Sequence, residues 1–141
     1  MRVFISYSVE ETALARDVAQ TLAAKGLSPW LLEENLFLGD NPAAAHARAL
    51  EESQAMVALI TPSSVHSPWV RHELGYALSN RGYKGRVIPL VVGSPQELGP
   101  DAFPWVLKAV QVARASSRAE IERAVCSIAD ALALNTPSEA A

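Results

Sequence analysis

Three side chains in the stretch Thr61 to Leu78 (TPSSVHSPWVRHELGYAL) could do chemistry together. Trp69, Glu73 and Tyr76 recur at i, i+4 and i+7, so a helix would carry them along one face. A tryptophan one turn before a glutamate, close to a strand end, makes a small aromatic-walled pocket with one carboxylate in it. The chemistry open to it is that of a single placed carboxylate. The plainer interpretation is a half-buried Trp with a solvated Glu behind it. On residue types alone that one is the commoner, because placed carboxylates are the minority.

The elements that must position these residues are legible nearby. Ser67 suits a helix N-cap, Pro68 the first helical position and Trp69 the first turn. Val70, Leu74, Ala77 and Leu78 share the expected core face, and the helix closes around Asn80-Arg81-Gly82. Upstream, Val3-Phe4-Ile5 reads as a buried first strand ending in Ser6-Tyr7-Ser8. Ser8-Val9-Glu10-Glu11 is a capping-box pattern, opening a helix through Leu14, Val18 and Leu22 to Lys25-Gly26. Leu27 to Leu32 reads as a second strand, with Pro29 pointing to an edge position. Glu33 to Asn41 is a loop that exposes Leu36 and Phe37 and contains Gly39; exposed apolar residues on a loop usually touch something. Asn41-Pro42 starts a helix to about Glu52, and Met56 to Ile60 is a third strand, apolar throughout.

Arg86 to Val92 reads as a fourth strand, Gly93 to Pro104 as a loop, and Ala109 to Val112 as a fifth strand. Ser117-x-x-Glu120 is a second capping box, and the last helix carries Ile121, Val125, Ile128 and Leu132 on one side. Five alternations of strand and helix call for a parallel sheet covered on both faces, with ligands binding beyond the carboxyl ends of the strands. Residues 1–134 form one domain on this reading, and Asn135 to Ala141 is a tail or the start of a linker.

Composition narrows the function classes. Half of the residues are apolar and 19% charged, which is a folded chain with a real core. A net charge of −3 with no Lys/Arg cluster argues against nucleic acid as the main partner. No apolar run approaches membrane-spanning length, and Met1-Arg2 leads straight into the first strand without a signal-peptide pattern. A lone Cys126, expected as a small buried side chain, fits a reducing cytoplasm. A phosphoacceptor receiver would need acids where Ser6-Tyr7 and Thr61-Pro62 stand. Neither GxGxxG, nor a Walker-type GxxxxGK, nor a GxSxG elbow is present. His46, His66 and His72 show no ligand spacing with acids or with Cys126; they read as surface histidines, with no metal site. Ser63, Ser64 and Ser67 lack an obvious base and read as turn and cap residues.

Three motifs in order resemble one family. Val3-Phe4-Ile5-Ser6-Tyr7-Ser8 resembles the opening box of the Toll/interleukin-1 receptor (TIR) domain family. Leu36-x-x-Gly39-Asp40 resembles its second box, in the BB loop, and Ser67-x-Trp69-Val70-x-x-Glu73-Leu74 resembles the segment carrying the catalytic glutamate of enzymatic members. The three together span Val3 to about Leu134, and the layout is similar to bacterial, NAD+-cleaving members.

The resemblance implies a flavodoxin-like α/β domain, a five-stranded parallel sheet with helices on both faces. The implied activity is cleavage of the nicotinamide–ribose bond of NAD+ as substrate, with no cofactor, to nicotinamide and ADP-ribose or a cyclic ADP-ribose isomer. Bacterial antiviral defence, assembly through TIR–TIR contacts and a sensor domain beyond the tail belong to the same expectation. Glu73 would be the catalytic carboxylate and Trp69 a wall of its pocket. Ser6, Tyr7 and Ser8 would line the floor, Trp30 could pack on a flat ring, and Leu36, Phe37, Gly39 and Asp40 would belong to the covering loop. The chain departs from the family pattern at Leu32, at Asn41-Pro42 and at Ser8-Val9, where many relatives carry an acid, an aromatic and arginines. The competing expectation is a non-catalytic module that scaffolds signalling through TIR–TIR contacts.

Overall fold

Alternation of side chains along the central strands divides the core into two halves. In the computed structural model, which describes residues 1–31, 39, 41–83, 85–93 and 112–134, the strands are Arg2–Ser6 (β1), Ser28–Trp30 (β2), Ala55–Ile60 (β3), Val87–Val92 (β4) and Ala113–Ala115 (β5). They pair in parallel in the order β2-β1-β3-β4-β5. Helices Thr12–Ala24 (α1) and Arg118–Leu134 (α4) pack with Val3, Ile5, Val57 and Leu59 on one face. Helices Pro42–Glu52 (α2) and Pro68–Ser79 (α3) pack with Phe4, Met56, Ala58 and Ile60 on the other. Every residue of β3 is buried, as a strand covered on both faces requires. Each large side chain there contributes roughly 1.5–3 kcal/mol by leaving water. The expected flavodoxin-like architecture is therefore present, and its strand order reverses between β1 and β3, the switch point of such sheets.

Local sequence sets the element ends. Gly26, at φ +88°, closes α1 in a Schellman motif: Leu27 N–H donates to Leu22 O and Gly26 N–H to Ala23 O. The Asn41 side chain caps α2 by accepting from Ala44 N–H at 3.2 Å, and the Ser67 hydroxyl caps α3 by accepting from Val70 N–H at 3.4 Å. Pro29 lies on an edge strand as expected, although β2 is only three residues long.

Four expectations need correction. The Ser8 capping box does not form: Val9–Glu11 is a 3₁₀ turn, and the Glu11 carboxylate accepts from Ser63 Oγ at 3.1 Å instead of folding back to Ser8. Among the described residues the fifth strand is Ala113–Ala115, pairing with Leu90 to Val92; of the expected span Ala109 to Val112 only Val112 is described, and it precedes the strand. Val112 packs into the α2–α3 side of the core without strand geometry, while Ala115 is buried and Arg114 exposed, the period of two that a pleated edge imposes. At α4, Ser117 Oγ caps by accepting from Glu120 N–H, but the Glu120 carboxylate returns to Ser116. Cys126 is a free thiol and half-buried, outside the packed stripe of Val125, Ile128, Ala129 and Leu132. Expectations placed on Leu32, Leu36, Phe37, Asp40, 94–111 and the tail 135–141 lie outside the described residues. No helix among the described residues is long and apolar enough to cross a membrane.

Candidate functional site

Glu73 belongs to the buried stripe of α3. The stripe runs Val70, Glu73, Leu74 and Ala77, so the carboxylate is carried into the core face instead of the adjacent face that Trp69 and Tyr76 suggested. Tyr76 turns to Tyr83, with ring centroids 6.4 Å apart and planes at 83°, and Trp69 remains 62% exposed.

At 2% exposure, Glu73 is a charge that burial would penalise heavily without partners. It has two. Ser6, the last residue of β1, faces the α2–α3 side like Phe4 and donates its hydroxyl to Oε1 at 2.7 Å. His46 of α2 brings its Nε2 into contact with Oε2. Among the described residues, every buried side-chain nitrogen and oxygen has such a partner.

The structure corrects the reading of His46 as a surface histidine. Only 19% of its side chain is exposed, and its ring sits edge-on to Phe4 at 5.2 Å, Trp30 at 5.8 Å and Trp69 at 5.5 Å. Trp30 in turn stacks on Phe4, with centroids 5.4 Å apart and planes 13° from parallel. The signal was available in the sequence: His46 precedes the buried Ala49 and Leu50 by three and four residues, the spacing of one helix face. His66 and His72 are exposed, as expected of surface histidines.

These groups border a cavity of about 350 Å³ at the carboxyl end of β1. Tyr7, Trp30, His46 and Trp69 form aromatic walls, Ile5, Val9, Pro42 and Ala43 complete the apolar lining, and Glu73 supplies a carboxylate. The volume lies in the range of small-molecule sites, and apolar walls with a few convergent polar groups are the usual construction of one. Of the residues expected at the site, the structure brings Ser6, Tyr7, Trp30, Trp69 and Glu73 together. Ser8 is buried but sits near Glu10, its Oγ 3.3 Å from Oε2, and it does not line the cavity. Nor does Gly39, which is exposed at φ +91°, a backbone conformation that favours glycine. Ser64 closes the turn after β3 by exchanging bonds with Thr61, so it is a turn residue as expected.

A flavodoxin-like sheet with a carboxylate-bearing aromatic cavity at the carboxyl end of β1 defines the class: an α/β domain with a cavity of small-molecule size. Residues 3–128 match the family described as TIR domain, and the chain belongs to that family. Among solved structures, a metazoan TIR-STING receptor from C. gigas, in complex with 2',3'-cGAMP, superimposes with a TM-score of 0.69 at 21% identity. The match covers 92% of this chain and 38% of that one, so this chain spans well under half of the receptor's length. The TIR domains of the activated Roq1 resistosome, which recognises the pathogen effector XopQ, give a TM-score of 0.58 at 17% identity, covering 92% of this chain and 83% of that one. At these identities the likeness is one of fold. No curated protein matches the sequence.

Proposed function

We propose that this TIR domain cleaves the nicotinamide–ribose bond of NAD+, with Glu73 as the catalytic carboxylate. The observation that carries the proposal is one buried carboxylate, held on both oxygens, at the wall of an aromatic cavity. One such group is enough for this reaction. Nicotinamide leaves as a neutral molecule from a cationic pyridinium, so its departure needs no general acid, unlike ordinary glycoside cleavage with its two carboxylates. What remains is to hold the ribose and to stabilise the positive charge that grows on it. A fixed carboxylate in a site that excludes water does both. Trp30 and Trp69 offer faces on which a flat ring can pack.

On this proposal the products are nicotinamide with ADP-ribose or a cyclic ADP-ribose isomer. Activity depends on assembly through TIR–TIR contacts, and the setting is bacterial antiviral defence in the cytoplasm. Incubating the protein with NAD+ over a range of protein concentrations tests it: nicotinamide should appear, at a rate that rises more than linearly with protein. Absence of release at the highest concentration would speak against it.

A second function, a non-catalytic TIR–TIR interaction module, is favoured by one observation. Val9 and Trp69, 76% and 62% exposed, share the rim of the cavity and form an apolar edge that a neighbouring copy could cover. Self-association that persists without turnover would select this alternative.

A further inference from the structure

NAD+ cleavage gives Glu73 a task and leaves His46 without one, although His46 is the group that touches the carboxylate from the helix opposite. We propose that His46 is the positioning residue for Glu73: it fixes the plane of the carboxylate so that the lone pairs not used by Ser6 and His46 face the cavity. The inference rests on the proposed NAD+ chemistry.

An ionised carboxylate only accepts hydrogen bonds, so the contact between Nε2 and Oε2 requires the ring proton to be on Nε2. Ser6 reaches Oε1 from the sheet and His46 reaches Oε2 from α2, so the two oxygens are anchored from different elements. A single bond would leave the group free to turn about its own axis; two bonds from separate directions do not. The imidazole is itself immobilised by the edge contacts to Phe4, Trp30 and Trp69. Support therefore passes from the aromatic walls to His46 and from His46 to the carboxylate. A purely space-filling histidine would need the ring contacts but not the proton on Nε2.

Two substitutions separate these roles. His46→Leu keeps volume between the rings and removes the donor; His46→Gln restores a donor of similar reach. Positioning requires that His46→Leu lower kcat for nicotinamide release by about 10²-fold, the scale of a misplaced reacting group, with KM little changed. His46→Gln should recover most of that loss, and thermal unfolding of both variants reports whether they fold. Proton NMR of the wild type at neutral pH adds a readout independent of turnover. The shared Nε2–H should give a protected downfield resonance that is lost or moves upfield in Glu73→Gln. His66 and His72 are exposed, so their ring protons exchange with water and do not compete for this assignment.

A folded His46→Leu variant with wild-type kcat, or a wild-type spectrum without the resonance, would overturn the positioning role while leaving NAD+ cleavage standing. Presence of the resonance in a protein that releases no nicotinamide would instead remove NAD+ cleavage, and with it any catalytic meaning of the pair.

Discussion

Ser6 and Glu73 lie 67 residues apart in sequence, and their side chains meet at 2.7 Å inside the protein, hydroxyl donating to carboxylate. The bond ties the carboxyl end of β1 to the second turn of α3 across the sheet–helix interface. It offsets part of the cost of burying a charge, and it delivers that charge to the place where a parallel α/β sheet receives ligands.

Because the bond is charge-assisted, Ser6→Ala should lower folding stability by about 1.5–3 kcal/mol. Ser6→Thr, which keeps the hydroxyl, should lose less. Urea unfolding of the three proteins checks this, and an unchanged midpoint for Ser6→Ala would mean that the bond contributes nothing to the fold.

The two cavity tryptophans should separate stability from activity. Trp69 is largely exposed, so Trp69→Ala should leave stability within about 0.5 kcal/mol of wild type. Trp30 is half-buried and stacked on Phe4, so Trp30→Ala should cost on the order of 2 kcal/mol. Both should slow nicotinamide release, which thermal unfolding and steady-state assays on the same preparations would resolve.

Tyr83 makes stability fall in alkali. Its buried ring, whose hydroxyl donates to the Leu50 carbonyl, has a pKa pushed well above the ordinary tyrosine value by burial. The unfolded chain therefore loses its phenolic proton first, near pH 10, while the folded chain keeps it. The Tyr83 contribution is complete below that pH and declines as pH rises toward the folded value. Tyr83→Phe should flatten the decline in melting temperature between about pH 9 and 11, at a cost of about 1 kcal/mol at neutral pH for the lost hydrogen bond.

Glu120 acts in the opposite direction in acid. The Ser116 backbone N–H and hydroxyl hold its carboxyl below the usual glutamate range. Its contribution is present above the ordinary carboxylate value and is lost as pH falls through the lowered one. The group is fully exposed, so the effect is small. Glu120→Gln should slightly reduce the loss of stability on acidification, read from urea midpoints between about pH 5 and 3.

Elements with strong local signals were legible in the sequence. Ser67-Pro68 marks the start of α3, Asn41-Pro42 that of α2, and the apolar run through Ile60 marks the buried β3, because capping and periodicity are properties of neighbouring residues. The site was legible in its members but not in its joints. Residue type puts Glu73 beside Trp69 and Tyr76, because an unpartnered carboxylate on a core stripe is costly. What allows it there are Ser6 and His46, which arrive from β1 and α2 through tertiary packing. Residue type alone reads His46 as a surface histidine, although its spacing from Ala49 and Leu50 puts it on the inward face. The described fifth strand carries a weak signal, because Ala113 and Ala115 are small and only their side of the strand packs on the core, while Arg114 between them is exposed.

The most direct measurement is product analysis after incubating wild type and Glu73→Gln with NAD+ under identical conditions. Wild type should release nicotinamide, and Glu73→Gln should do so about 10²–10³-fold more slowly while remaining folded. Equal release by the two proteins, or none by the wild type, would contradict a catalytic carboxylate at position 73.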